Sequence, residues 1–214
     1  MKIIIFVFLL VFVALNSCNA EKSQQKAEAK GDDMSYKNFD SVTLGAGCFW
    51  CVEAVFQRLQ GVAKVVSGYS GGKIENPTYK QITTGTTGYA EVIRVFYKPE
   101  VITFEELLEV FWMTHDPTTL NKQGADVGTQ YRSVIFYHND SQKEIAERYK
   151  KQLNDAQTFD SPIVTEISPM TNFYEAEDYH QNYYNDNSHQ PYCSFVITPK
   201  IQKLEKLFKD KLKD

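Results

Sequence analysis

The sequence predicts an α+β protein, one domain built as a two-layer sandwich with a mixed sheet. Three observations predict it. Of 214 residues, 43% are hydrophobic and 23% charged, the proportions of a chain that buries a core. Apolar residues alternate in some segments and recur at helical spacing in others. The two kinds of segment then mix without strict βαβ alternation. The formal net charge is −4, so there is no basic excess to neutralise phosphates and nucleic acid is not expected as a partner. Four cysteines, at positions 18, 48, 51 and 193, are too few for a disulfide scaffold.

Residues 1–17 read as an address. Lys2 supplies a positive start, and Ile3 to Leu15 is an unbroken apolar run. That run suits a signal-peptide core and falls short of the ~20 residues that a membrane span takes. It ends in Leu15-Asn16-Ser17-Cys18, which resembles a bacterial lipobox with Cys18 as the lipidated residue. An ordinary secretory signal cleaved near Ala20 is the alternative. The lipobox reading implies a lipoprotein anchored in a bacterial cell-envelope membrane, on its periplasmic or surface face, since several acyl chains anchor stably. Residues 18–35 are mostly Lys, Gln, Glu, Ala, Asp and Ser, with no aromatic and one Met, the composition of a flexible tether. The folded domain is therefore expected over residues 36–214.

Within it, Ser41–Leu44 is a short strand that ends in Gly45-Ala46-Gly47. Val52, Val55, Phe56 and Leu59 fall at helical spacing after Cys48, and Gly61 suits the helix end. Val62–Val66 reads as a strand, and Asn76-Pro77 as a loop. Glu91–Tyr97 alternates, is rich in Val, Ile and Phe, and stops at Pro99. Thr103 with Glu106 forms a capping box for a helix to about Met113. His115 to Arg132 is a long polar loop, and loops of that length in compact domains tend to be functional. His115-Asp116-Pro117 itself reads as a helix-end turn. Ser133–Tyr137 is a strand, and Ser141 with Glu144 a second capping box for a helix to about Ala156. Ile163–Ser168 reads as a strand and Ala176–Tyr184 as a helix. Phe195–Thr198 reads as a last strand, and Lys200–Leu212 as a terminal helix.

Gly45-Ala46-Gly47-Cys48-Phe49-Trp50-Cys51 carries the most chemistry. A strand runs through glycines into a helix that starts at a cysteine. The partial positive charge of a helix N-terminus favours thiolate at Cys48, and thiolate is the nucleophile. Cys51 lies three residues on, near the same helical face, so the pair can close a disulfide. Two classes of function fit: a thioredoxin-like thiol–disulfide oxidoreductase, or an enzyme whose nucleophilic cysteine is regenerated by a second one. Two buried structural thiols are the bland reading. Zinc would need two further ligands, and the four histidines (115, 138, 180 and 189) are scattered, so no metal is expected.

Gly47-Cys48-Phe49-Trp50 with Glu53 resembles the nucleophile motif of the peptide methionine sulfoxide reductase A family. The resemblance extends through Gly68-Tyr69-Ser70-Gly71-Gly72, Asn76-Pro77-Thr78-Tyr79, Thr87-Gly88-Tyr89-Ala90-Glu91 and His115-Asp116-Pro117. It continues through residues 128–133 (Gly-Thr-Gln-Tyr-Arg-Ser), residues 173–181 (Phe-Tyr-Glu-Ala-Glu-Asp-Tyr-His-Gln) and Pro191-Tyr192-Cys193. These stretches keep the family's order from about Val42 to Lys200. The resemblance implies a ferredoxin-like α/β plait as the core of the sheet. It implies a peptide-methionine (S)-S-oxide reductase, with oxidised Met in proteins, in peptides or free as substrate. Cys48 would attack the sulfoxide sulfur, Glu91 would be the acid, and Tyr79 and Tyr131 would donate to the oxygen. Asp126 would support the site, and Phe49 and Trp50 would cage the S-methyl group, as sulfur–aromatic contact favours. Glu91 must then hold a proton near neutral pH, which burial among aromatics promotes.

The sulfenic acid left on Cys48 condenses with a neighbouring thiol to a disulfide. Cys51 and Cys193 are the candidate resolving cysteines. Many family members carry Gly where this chain has Cys51, and a distal cysteine in a Gly-rich tail. Here Cys193 precedes what reads as an ordered strand, so Cys51 is expected to resolve first. Tyr89 departs from a common His without touching Glu91. His180 and the tyrosines at 174, 179, 183, 184 and 192 can wall the site or simply pack. No cofactor is implied beyond an external dithiol, a thioredoxin-like reductant, and the protein is expected to be a monomer.

Overall fold

The computed structural model describes residues 36 and 38–213. Cys18, the leader and the tether lie outside those residues. β1 (Asp40–Ala46) pairs antiparallel with β3 (Ala90–Tyr97) on one side and β6 (Ser133–Tyr137) on the other. β2 (Val62–Ser70) lies antiparallel to β3, and β8 (Tyr174–Glu175) antiparallel to β2. β7 (Glu166–Pro169) lies parallel to β6, which makes the sheet mixed. The order is β7-β6-β1-β3-β2-β8. The inner run β6-β1-β3-β2 is the ferredoxin-like plait. β4 (Lys122–Gln123) and β5 (Asp126–Val127) form a separate hairpin inside the long polar loop.

Strand alternation decides where the helices sit, because successive side chains point to opposite faces. Val42, Leu44 and Ala46 of β1 and Ile93, Val95 and Tyr97 of β3 face the main core. That core also takes α1 (Phe49–Phe56), α3 (Phe104–Thr114) and α6 (Thr198–Leu207) through Phe56, Leu107, Phe111, Trp112, Ile201 and Leu204. Among the described residues, the other face carries a small cluster: Ala90, Val92, Val134 and Phe136, covered by Met170 and Phe173. Burying a Leu, Ile or Phe side chain contributes about 1.5–3 kcal/mol, so the helix side dominates stability. The expected α+β two-layer architecture is the observed one.

Several expected elements differ. The helix α4 (Asp140–Asp155) is capped by Asn139, two residues before Ser141. Asn139 accepts from the Gln142 amide at 2.9 Å, and Gln142 Oε1 accepts from the His138 amide at 2.8 Å. Asn139 is the stronger cap because its extended backbone aims the side chain at the first turn. The strand expected over Ile163–Ser168 starts only at Glu166, where β6 offers a partner. The Ala176–Tyr184 helix is broken into a 3₁₀ turn (Asp178–His180) and α5 (Tyr183–Asn187). Asn182 between them is left-handed, at φ 54°. Gln181 meanwhile pairs its side chain with both Ser67 backbone groups, at 3.0 and 2.9 Å. The Phe195–Thr198 strand does not form. Cys193–Ile197 is a π-helical turn that runs into α6. Cys193 and Ile197 are buried and Phe195 is 81% exposed, a spacing of four that a strand cannot give. A short helix, α2 (Tyr79–Ile82), fills the loop after Asn76-Pro77 under a Thr78–Gln81 capping box.

Candidate functional site

The β1–α1 corner places the first reactive group. Gly47 turns at φ +93°, a backbone that favours glycine, and a Cβ there would meet Gln123 at 2.7 Å. Cys48 becomes the N-cap of α1 rather than its first helical residue, and its side chain makes no cap. The Phe49 amide at the helix start is therefore free to donate elsewhere. It donates to Glu91 Oε2 at 3.2 Å. Glu91, at the start of β3, is 1% exposed, and its Oε1 has no partner among the described residues. Burial pushes the Glu91 carboxyl up to about 8, with the Phe49 amide opposing and nearby Asp126 and Cys51 adding to the rise. At neutral pH it is a carboxylic acid with a proton to give.

An aromatic wall surrounds this corner. Trp50 stacks on Tyr183 at 3.7 Å between ring centroids. Its indole N–H donates to His180 Nδ1 at 3.2 Å. His180 also lies 5.0 Å from the Phe49 ring and 4.4 Å from the Tyr79 ring. Glu177 fixes the Tyr79 side of the wall. It accepts from the Tyr79 amide at 2.9 Å and from the Tyr69 hydroxyl at 2.8 Å. Glu53 fixes the Tyr183 side, because it accepts from the Asn182 amide at 2.9 Å and thereby ties the α5 start to α1. Tyr79 and Tyr131 are half-buried and both lie in electrostatic range of Glu91, Cys48 and Asp126. Burial, then the Glu91 charge, pushes Tyr79 up to about 12 and raises Tyr131 as well, so both stay phenolic donors.

Cys48 and Cys51 are hydrogen-bonded to each other. Burial raises the Cys48 thiol well above the ordinary range, and Cys51 and Glu91 raise it further. Cys51 is pushed down to about 7: the hydrogen bond from Cys48 favours its thiolate, burial opposes, and Lys200 and Tyr192 assist. The two thiols titrate as a pair that shares one proton near neutral pH. Burial, which leaves Cys48 8% and Cys51 1% exposed, works against the thiolate that the helix end favours at Cys48. Asp126 reaches the pair through Tyr192. The Tyr192 hydroxyl donates to Asp126 Oδ2 at 2.8 Å and lies 3.7 Å from Cys51 Sγ.

The structure thus brings Cys48, Phe49, Trp50, Cys51, Tyr79, Glu91, Asp126 and Tyr131 to one corner. Cys193 is fully buried next to Tyr192, with its thiol raised by burial and by Cys51. The three described cysteines are free. Of the tyrosines expected as walls or packing, Tyr183 and Tyr192 face the site and Tyr179 packs on the outer side of His180. Tyr174 instead meets Tyr89 edge-on, and Tyr184 bonds Thr198 under Arg58. His115 is structural: its ring bonds the Phe111 carbonyl and Ser133 Oγ, and burial pushes it down to about 4. The supporting roles of Glu177, Glu53 and Tyr69 escaped the sequence reading. The signal was present, since a carboxylate inside a helical apolar face (Glu53) has to find buried donors. Among the described residues, no group of three His, Cys, Asp or Glu is arranged to hold a metal.

The sequence matches the family described as Peptide methionine sulfoxide reductase over residues 40–212. It is 53% identical over 173 residues to "Peptide methionine sulfoxide reductase MsrA" of Trichodesmium erythraeum, covering 81% of this chain and 98% of the relative. It is 55% identical over 171 residues to "Peptide methionine sulfoxide reductase MsrA 1" of Rhodopirellula baltica, covering 80% and 88%. The fold is similar to reduced Mxr1 from Saccharomyces cerevisiae, with TM-score 0.65 and 38% identity over 73% of this chain and 90% of that one. It is also similar to methionine sulfoxide reductase A of Corynebacterium diphtheriae, with TM-score 0.64 and 36% identity over 71% and 76%.

Proposed function

The chain belongs to the peptide methionine sulfoxide reductase family, and on that premise we propose how its own residues reduce the sulfoxide. The observation that carries the reading is a protonated, buried carboxyl, Glu91, with a free oxygen beside a cysteine pair inside an aromatic wall. Thiol–disulfide exchange alone needs no acid there. Cys48 attacks the sulfoxide sulfur and passes its proton along the hydrogen bond to Cys51. Glu91 gives its proton to the sulfoxide oxygen, and Tyr79 and Tyr131 hold that oxygen by hydrogen bonds. Methionine leaves, and Cys48 carries the oxygen as sulfenic acid. Cys51 then closes a disulfide with Cys48, and its proton departs with the hydroxide as water. A thioredoxin-like dithiol reduces the disulfide, and Glu91 takes its proton back from solvent. Phe49 and Trp50 hold the S-methyl group, with His180 and Tyr183 locking the indole.

An S-methyl cage on one side and oxygen donors on another make the site chiral, so one sulfoxide epimer fits. We assign it the S epimer. Turnover of separated epimers of a methionine sulfoxide peptide with dithiothreitol tests this. The expected result is consumption of S alone; consumption of R, or of disulfide substrates only, would sink the reading.

The N-terminal stretch belongs to the same proposal. Lipidated Cys18 would hold the enzyme, as a monomer, at the bacterial envelope for repair of exported proteins. Cys18→Ser is expected to move the protein from the membrane fraction to the soluble fraction. Unchanged partitioning would remove the anchor from the proposal.

A further inference from the structure

Beside Cys51 lies a small, partly open cavity of about 10 Å³. Cys51, Thr114, His115 and Lys200 line it together with apolar side chains of α1 and α3. That volume is about one water, and with Cys51 buried and Lys200 half-buried the charges across it are screened less than surface charges. Lys200 belongs to α6, the same continuous helical segment that carries Tyr192 to Cys51. It is half-buried and makes no salt bridge among the described residues. The titratable and charged groups that bear on Cys51 are Cys48, Cys193, Tyr192, Asp126, Glu91 and Lys200. Across the cavity, His115 is neutral at pH 7. Lys200 is thus the one cation among them. Its charge is felt at both walls, since it favours the Cys51 thiolate and disfavours the His115 imidazolium.

We propose that Lys200 is a positioning residue for the resolving step, the counter-charge that holds the Cys51 sulfur ready to close the disulfide. This deepens the reading above and rests on Cys51 being the resolver. In the step, the Cys51 electron pair forms the S–S bond and the Cys48 S–O bond breaks. The hydroxide leaves as water with one proton. Cys51 is oxidised and the sulfenic sulfur of Cys48 is reduced. The nucleophile is thiolate, so any group that raises the thiolate fraction of Cys51 quickens closure.

The test is a single turnover on a methionine sulfoxide peptide by the full chain, acid-quenched and mapped by mass. Methionine release serves as the internal standard for Cys48–Cys51 disulfide closure. Relative to that standard, Lys200→Met and Lys200→Gln are expected to slow closure about fivefold at about pH 7, and not at alkaline pH, as a rise of about one unit in the Cys51 pKa requires. Lys200→Arg should restore it. Closure that tracks wild type in both neutral variants overturns the proposal. A second readout is independent of turnover. In a Cys48→Ser background, the pH midpoint of Cys51 alkylation by iodoacetamide should rise with Lys200→Met. An unmoved midpoint overturns the pairing even where wild type closes Cys48–Cys51. A moved midpoint in a protein that closes Cys48–Cys193 supports the pairing and overturns Cys51 as the resolver.

Discussion

Glu91→Gln is expected to lower kcat for the sulfoxide by about 10²–10⁴-fold, the contribution of a positioned general acid. The substitution is nearly isosteric, and the amide oxygen can still accept from the Phe49 amide, so the helix start stays in place. What disappears is the proton. The phenols of Tyr79 and Tyr131 remain as donors, which is why activity falls without vanishing. The pH profile carries the sharper signature. The acid is competent while protonated, so its contribution is present below about pH 8 and is lost as pH rises through it. Wild-type turnover should therefore decline above about pH 8, and the variant's residual turnover should lack that limb. Steady-state kinetics over pH, with KM and kcat separated, checks both. A variant that keeps wild-type kcat would remove Glu91 from the chemistry.

Cys48→Ser should abolish reduction outright, since a serine oxygen cannot accept the sulfoxide oxygen and pass through a disulfide. Cys51→Ser should behave differently. The attacking sulfur and the acid are intact, and water or buffer base can take the Cys48 proton in place of Cys51, so each chain should still release about one methionine, more slowly, and then stall as a Cys48 sulfenic acid. Dimedone trapping at Cys48, together with methionine counted per chain, measures this. Cys193→Ser should keep most of the dithiol-driven turnover. Cys193 is fully buried in the π-helical turn, whereas Cys51 is one helical turn from Cys48 and bears directly on its ionisation. Full multiple turnover by Cys51→Ser, with loss in Cys193→Ser, would transfer the resolving role to Cys193.

The supporting shell explains why the corner stays rigid enough for this. Glu177 ties the β8 edge to Tyr69 and Tyr79, and Glu53 ties α5 to the nucleophile helix. Burial pushes Glu53 up to about 7, with the Asn182 and Tyr183 amides opposing. Trp50 is held twice, by a stacked ring and by a hydrogen bond. Each tie spans more than ninety residues of chain, and no local pattern announces it.

By itself the sequence determined what depends on local chemistry. Alternating Val, Ile and Phe in Glu91–Tyr97 made a strand, and Thr103 with Glu106 capped a helix, because period and capping act over a few residues. The glycines before Cys48 made the sharp strand-to-helix corner for the same reason. Tertiary structure decided the rest. Residues 195–198 (Phe-Val-Ile-Thr) have strand composition, yet burial of Cys193 and Ile197 on one face made them helical, since packing outweighs a propensity worth about 1 kcal/mol. Residues 176–184 have helical composition, yet Gln181 bonding to Ser67 and Asn182 bonding to Glu53 broke them in two. Ionisation followed the same division. A helix start favours thiolate wherever it occurs, but only the folded corner set how much water Cys48 lost and put Lys200 behind Cys51. Desolvation and charge pairing depend on distances across the fold, and those are set only when the core closes.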